Sequence, residues 1–358
     1  MRVLFLQQQP CIRSLKYAAG LRSASDALHL AFAYQGRSLG GWYGTGDELF
    51  DEWWRLGPDV AADLDDVVER FRPDIVHSHN LPDRLTVLAL ELAGGRFPVI
   101  HDSHDLQSLR RTPYEDGFPE PADPVELERA AVEGATALLA VSPEMLGEMR
   151  TRYRLPRRHR WFANFALAGD LPPELPDPDR PVGVPPRVVY QGTLSTNGGH
   201  YDLRRLFRAA VAGGVDIDLY PSRPSPAYQA LAEEVPGLRC LDKLDPRALL
   251  RALPEYDFGW AVFNPALNEA HLHTVLPNKL YEYIGCGLPA LTMGHRAMAR
   301  LVAEHGVGVD LDGLDGLGDR LREVDAAGLR RRTAEVRWDL TVEANIGPVV
   351  DLYKTVVG

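Results

Sequence analysis

The chain is poor in lysine and cysteine and lacks any long apolar run, and each shortage narrows what it can be. Of 39 basic residues only four are lysine (Lys16, Lys243, Lys279 and Lys354), so a lysine inside a motif is a less routine choice than an arginine. The three cysteines, Cys11, Cys240 and Cys286, are odd in number and widely spaced. They exclude a disulfide framework or a zinc knuckle and point to a reducing compartment, the cytoplasm. No run of about 18 apolar residues occurs, which excludes a spanning helix. The opening MRVLFL turns polar too soon for a secretory signal and reads as a first buried strand. Positive charge is also short: 50 acidic residues against 39 basic give a net charge of −11, which argues against nonspecific binding to nucleic acid or to anionic membrane. One local exception, RLPRRHR at 154–160, is basic enough to touch a phosphate or a lipid head group, so a peripheral membrane contact stays open.

What is present is an alternation of short apolar runs with helical patterns. Strands are expected over 3–6, 28–33, 75–77, 99–101 and 137–141, with helices over 60–71, 86–92, 124–133 and 143–153. The stretch 171–186, LPPELPDPDRPVGVPP, has seven prolines and no apolar periodicity, the composition of a stiff linker. The alternation then restarts, with strands over 188–190, 216–220, 238–241, 258–262 and 290–293 and helices near 202–212, 226–234, 246–253, 277–286, 296–304 and 325–337. Strands separated by helices imply right-handed crossovers and parallel sheets. The expected architecture is α/β: a doubly wound domain over 1–167, a linker over 168–186, a second such domain over 187–338, and a final amphipathic helix over 339–358. Ligands bind at the carboxyl ends of strands in such sheets, so the gap between two of them is the expected active site.

The chemistry concentrates in LPNKLYEYIGCGLPALTM, 276–293. Pro277 suits a first helical position, and a helix start offers N–H groups and a positive dipole end to an anion. Lys279 is unfavourable against that dipole unless an anion sits there. Glu282, three residues on, shares a face with Lys279 and can accept hydrogen bonds from two vicinal hydroxyls. An ordinary surface Lys–Glu pair is the competing explanation.

Six segments in order, PDIVHSHN (73–80), PVIHDSHDL (98–106), ALLAVSPEM (137–145), VVYQGTLS (188–195), YDFGWAVFNP (256–265) and LPNKLYEYIGCGLPAL (276–291), resemble the retaining glycosyltransferases with the GT-B fold, the large family that includes sucrose and glycogen synthases. A subset with Pro-x-Lys before the ribose-binding glutamate is the most similar. The resemblance implies two Rossmann-like domains facing across a cleft, with the last helix crossing back to the first domain. It implies transfer of a hexose-type sugar from a nucleotide diphosphate sugar, a UDP-sugar, with retention by front-face displacement and without a metal or other cofactor. It places Glu282 on the ribose and the helix start, Asn278 and Lys279, on the diphosphate.

Three departures bear on roles. Thr274 stands where many relatives carry a second glutamate at the sugar. Gly192-Thr193-Leu194-Ser195, followed by Thr196-Asn197, replaces the usual Gly-Arg with its later lysine. Gln7-Gln8-Gln9-Pro10 replaces a glycine-rich loop. A leaving diphosphate gains charge at the transition state and needs a cation or an N–H cluster. Lys279 therefore takes the role of the missing arginine, with N–H groups near Gly192, Thr193 and Asn278; Asn197 and Lys243 complete the expected donor contacts, although Lys243 reads equally as a solvated lysine.

His77, His79, His101 and His104 fall at the ends of two strands. His-x-His is a spacing zinc hydrolases use, but HSHNLPDR lacks the following Asp-His, so no metal is expected. The resemblance places His104 beside the transferred sugar, with His101 and Asp102 as support and His77 and His79 as packing or acceptor contacts. His271 and His273 precede the donor helix and read as solvated loop residues or donor contacts, and Asn164 reads as a hinge between domains. Gln8, Gln9, Arg13, His79 and the segment 107–122 are the expected acceptor side, for a small-molecule, glycan or lipid-linked acceptor. A non-catalytic nucleotide-sugar-binding scaffold and a nucleotide-sugar epimerase are the alternatives.

Overall fold

The computed structural model describes residues 1–112 and 122–358. The chain divides into an N-terminal unit, Met1–Asn164 with Val342–Gly358, and a C-terminal unit, Phe165–Thr341.

Among the described residues the N-terminal unit holds seven parallel strands: β1 (Arg2–Gln7), β2 (His29–Tyr34), β3 (Glu52–Arg55), β4 (Ile75–His79), β5 (Val99–Ser103), β6 (Ala137–Ala140) and β7 (Arg158–Trp161), in the order β3-β2-β1-β4-β5-β6-β7. Val3 in β1 sits between Leu30 and Ile75 of its two neighbours. The central strands are buried on both faces, as helix-covered parallel sheets require, and Leu4, Val76 and Phe71 lie in a fully closed core.

The C-terminal unit holds six: β8 (Arg187–Gly192), β9 (Asp216–Pro221), β10 (Leu238–Cys240), β11 (Phe258–Trp260), β12 (Ala290–Thr292) and β13 (Gly308–Asp310), in the order β10-β9-β8-β11-β12-β13. Its core packs Tyr190, Phe207, Trp260 and Leu291. Strand order reverses once in each sheet, at β1/β4 and at β8/β11, and such switch points are where doubly wound sheets bind ligands.

Three strands, β3, β7 and β13, have no counterpart among the sequence expectations. They are sheet edges with mostly half-buried or exposed residues, so they carry no apolar run. The helix Ile12–Ala24 is also new. It buries Arg13, Ser14 and Lys16 together with Leu15, Tyr17 and Ala18, so its interior side is not an apolar stripe. Gly20 on this helix is forced by contact: a Cβ there would lie 2.5 Å from Val342 Cγ1 in the helix Val342–Asn345. With the helix Gly347–Val357, this C-terminal segment packs against Ile12–Ala24.

The proline-rich stretch read as a linker belongs to the C-terminal unit. Proline removes backbone donors but leaves carbonyls, and arginines satisfy them. Arg330 Nη1 donates to Arg180 O at 2.6 Å, Arg337 Nη2 to Pro172 O, and Arg180 Nη2 to Pro254 O at 2.6 Å. Among the described residues no helix is long and apolar enough to cross a membrane.

Candidate functional site

In the C-terminal unit the helix Asn278–Gly285 docks over the β8/β11 switch point. Its Tyr283 ring lies on the sheet beside Gly259, where a Cβ would come within 2.4 Å of the ring. Tyr283 Oη accepts from Gln191 N at 3.2 Å and donates towards Val189 O and Trp260 O, so one hydroxyl ties the helix to both strands. The helix begins at Asn278, with Pro277 as an extended N-cap at ψ 154°, one position earlier than expected of it.

Lys279 is not a surface residue. It is 7% exposed, and its ammonium lies 3.9 Å from the centroid of the Tyr190 ring, 4.9 Å from Phe263 and 5.7 Å from Tyr201. Gly192, at φ +125°, makes room for it: a Cβ there would lie 3.4 Å from Nζ. Among the described residues Nζ has no hydrogen-bond partner. Burial pulls its pKa down to about 7, against an upward pull from Glu282. The aromatic faces favour the charged form, and among the described residues Glu282 acts on it through charge without a hydrogen bond to Nζ. That is the arrangement of a cation waiting for an anion. Glu282 is held by Gln191, whose Nε2 donates to Oε2 at 2.6 Å.

The other expected donor residues lie in different settings. Thr193 is exposed, and its carbonyl accepts from Tyr190 Oη. Asn197 Oδ1 accepts from Ser195 Oγ and Gly199 N, both at 2.9 Å, and so shapes its own loop. Lys243 is exposed beyond β10, and Asn278 is half-buried. Thr274 is fully buried, and its hydroxyl donates to His271 O at 2.8 Å, closing the turn after the helix Glu269–Leu272. His271 is 2% exposed rather than solvated, while His273 Nδ1 accepts from Arg296 N at 3.3 Å. The sequence reading missed Tyr190, Gln191, Tyr201 and Phe263, all of which lie in or beside quoted motifs.

In the N-terminal unit the ends of β1, β4 and β5 gather a buried polar cluster. Arg13 pairs with both oxygens of Asp102, Nε to Oδ2 at 2.7 Å and Nη2 to Oδ1 at 2.9 Å, and donates to Asn164 Oδ1 and Tyr17 Oη, each at 3.0 Å. His79 Nδ1 lies 3.0 Å from Asp102 Oδ2, and its ring stacks on His77 at 4.5 Å. Arg13 and His79, expected to meet an acceptor, are therefore interior groups here, at 3% and 0% exposure. Gln8 is buried, and its carbonyl accepts from Gln35 N and Gly36 N. The Gln9 side chain clamps the backbone of Arg37. Residues 113–121 of the expected acceptor segment lie outside the described residues.

Ligand atoms of His77, His79 and Asp102 lie within 4.8 Å of one another. The donor set does not suit a divalent cation, because Arg13 already takes both Asp102 oxygens and a second positive charge would be buried beside it. His104, just past β5, donates its backbone N–H to Asn80 Oδ1 at 3.1 Å. Its Nδ1 is buried and has no hydrogen-bond partner among the described residues, and burial pulls the imidazole down to about 4, against the pull of Asp105 and Asp102. It is a neutral ring at physiological pH, able to hydrogen-bond a hydroxyl.

Burial also lowers His77, His79 and His295, the last to about 4. The unfolded chain protonates these rings near pH 6.5 and the folded chain does not, so the stability they contribute is full above about 6.5 and declines as pH falls below it. Each ring contributes up to about 1.4 kcal/mol per pH unit. Thermal unfolding at pH 5 should therefore start well below that at pH 7.5, and equal midpoints would show that the rings are protonated in the fold.

Residues 21–164 match the family described as "Glycosyl transferase 4-like domain". No curated protein matches in sequence. Among solved structures, sucrose-phosphate synthase from Thermosynechococcus elongatus is similar at 14% identity and TM-score 0.70, over 99% of this chain and 98% of that one. Anabaena HepE, solved with UDP-glucose, is similar at 13% identity and TM-score 0.69, over 99% of both chains. WaaG, a glycosyltransferase involved in lipopolysaccharide biosynthesis, is similar at 14% identity and TM-score 0.63, over 99% of this chain and 100% of that one. The chain therefore has the GT-B fold, two Rossmann-like parallel-sheet units, and its residues 21–164 match the glycosyl transferase 4-like family.

Proposed function

We propose that the protein is a glycosyltransferase that moves a hexose-type sugar from a nucleoside diphosphate sugar, of the UDP type, to an acceptor hydroxyl with retention of configuration. One observation carries this reading: a buried Lys279, its ammonium without a hydrogen-bond partner among the described residues, in the first turn of a helix at the switch point, with Glu282 one turn further on. A diphosphate supplies the anion that both the helix start and Lys279 lack. Glu282, already fixed by Gln191, accepts from the two ribose hydroxyls. As the glycosidic bond breaks, negative charge builds on the leaving phosphate and Lys279 stabilises it. The departing phosphate takes the acceptor proton, so no protein base is required. The cation is a side chain, so the scheme needs no metal, and a cytoplasmic setting fits the nucleotide donor and the free thiols. HepE was solved with UDP-glucose, which supports the choice of base and sugar.

Calorimetric titration with UDP tests the assignment. Glu282→Ala should weaken binding by about 10- to 100-fold, the worth of hydrogen bonds to a charged acceptor. Unchanged affinity would remove Glu282 from the ribose. A second reading, a scaffold that binds the donor without turnover, is favoured by Thr274, which offers no carboxylate and engages its hydroxyl with His271 O. A scaffold would bind UDP-sugar yet release no UDP with any acceptor.

A further inference from the structure

Among the described residues strand β7 is the outer edge of the N-terminal sheet and pairs with β6 alone. Edge strands are commonly charged to discourage pairing with other chains, but the charge here is greater and of one sign. Arg154, Arg157, Arg158 and Arg160 are all exposed within seven residues. Among the described residues their side chains meet no carboxylate and no hydrogen-bond partner; only the backbone N–H of Arg154 reaches Glu133. Elsewhere exposed arginines pair routinely, as in Arg70–Asp66, Arg96–Glu69 and Arg300–Glu304. In a chain of net charge −11 this is a local reversal of sign.

A second feature shares the edge. Trp161, the last residue of β7, is 46% exposed. Between the arginines, the His159 ring is held by Arg150 Nη2 at 3.0 Å and by Pro156 O at 2.8 Å, which ties the turn before β7 to the strand. The patch is thus a shaped surface rather than a loose basic tail. Guanidinium forks bind phosphate oxygens in pairs, and an exposed indole favours the boundary between head groups and acyl chains. The exposed indole beside the arginines matches an anionic bilayer better than a nucleic acid, because it can sit at the head-group boundary; the net charge of −11 opposes both surfaces alike, so the attraction is local to this edge.

We propose that the β7 edge, residues 154–161, docks this protein on an anionic phospholipid surface. The docking is independent of the transfer reaction proposed above, because attachment is read without turnover.

Flotation of the full chain with phosphatidylcholine vesicles, with and without about one-third phosphatidylglycerol, is the direct test. Binding is expected to the anionic vesicles alone, and to be released by high salt. Arg154→Gln, Arg157→Gln, Arg158→Gln and Arg160→Gln together should weaken it by about 10²-fold. Glutamine keeps the edge polar, so a monomeric variant with an unchanged unfolding midpoint is expected. If that variant aggregates, the Arg157→Gln, Arg160→Gln pair should still lose about tenfold. Brominated lipid should quench the wild-type fluorescence and quench Trp161→Phe less. No binding to anionic vesicles, equal binding by the arginine variants, or release of bound protein by duplex DNA at lower concentration than by soluble anionic lipid would each overturn the proposal.

Discussion

Asp102→Ala should destabilise the N-terminal unit by about 3–5 kcal/mol, the cost of stranding a buried charge. The charge is that of Arg13, on the helix Ile12–Ala24, which is 3% exposed and reaches across to Asp102 at 0%. Both carboxylate oxygens take guanidinium N–H groups, at 2.7 and 2.9 Å. Without them Arg13 keeps only Tyr17 Oη and Asn164 Oδ1, two neutral acceptors, and the aromatic faces of Tyr17 and Phe162 at 5.0 and 5.7 Å. His79 would lose its carboxylate neighbour as well. The double variant Arg13→Met, Asp102→Leu should recover most of the loss, because it removes both desolvated charges together.

The measurement is urea or thermal unfolding of the full chain, following the transition of the N-terminal unit. A cost for Asp102→Ala below about 1 kcal/mol would place the pair among the weak, solvent-screened ion pairs. The pH window differs from that of the histidines. Burial alone would raise the Asp102 carboxyl, but the Arg13 charge and His79 hold it well below the usual carboxylate range. Its contribution is therefore present above about pH 3.9 and is lost only in stronger acid.

This cluster also shows where sequence reasoning stops. The central strands were legible because helix-covered parallel strands bury both faces and read as apolar runs, as in β1 and β6. The helix over Asn278–Gly285 was legible to within a residue, because Pro277 and Gly287 bracket it, and Gly287 adopts φ +72°. Lys279 and Glu282 stand out through their place at the helix start and their spacing, and their roles come from the family resemblance. Arg13 and His79 read as acceptor contacts, because a polar side chain whose partner lies 89 or 23 residues away looks the same in sequence as a polar side chain facing a ligand. The edge strands β3, β7 and β13 escaped for the opposite reason, since half-exposed strands carry no apolar signature. The rings around Lys279 come from β8, from the loop after it and from the segment after β11, so no local spacing announces them.

Those rings make Lys279 the residue whose loss should cost most in turnover. Lys279→Met keeps the length and fills the aromatic pocket, but removes the ammonium; turnover should fall by about 10²- to 10³-fold, the scale of losing one preorganised group at a developing charge. The same pocket predicts a proton. In the free protein burial brings Lys279 to about 7, so at pH 8 most of the population carries a neutral amine among Tyr190, Tyr201 and Phe263. A docked diphosphate raises that value, since an adjacent anion favours the charged form. Binding above pH 7 must then take up a proton, and affinity should fall with rising pH by up to tenfold per unit until the bound-state value is passed. The phosphate ionisation near pH 6 is complete at pH 8, so it does not contribute there. Calorimetry at pH 8 in buffers of different ionisation enthalpy should show uptake approaching one proton for the wild type and none for Lys279→Met. Equal uptake by both proteins, or normal turnover in the variant, would mean that the diphosphate does not lie against Lys279.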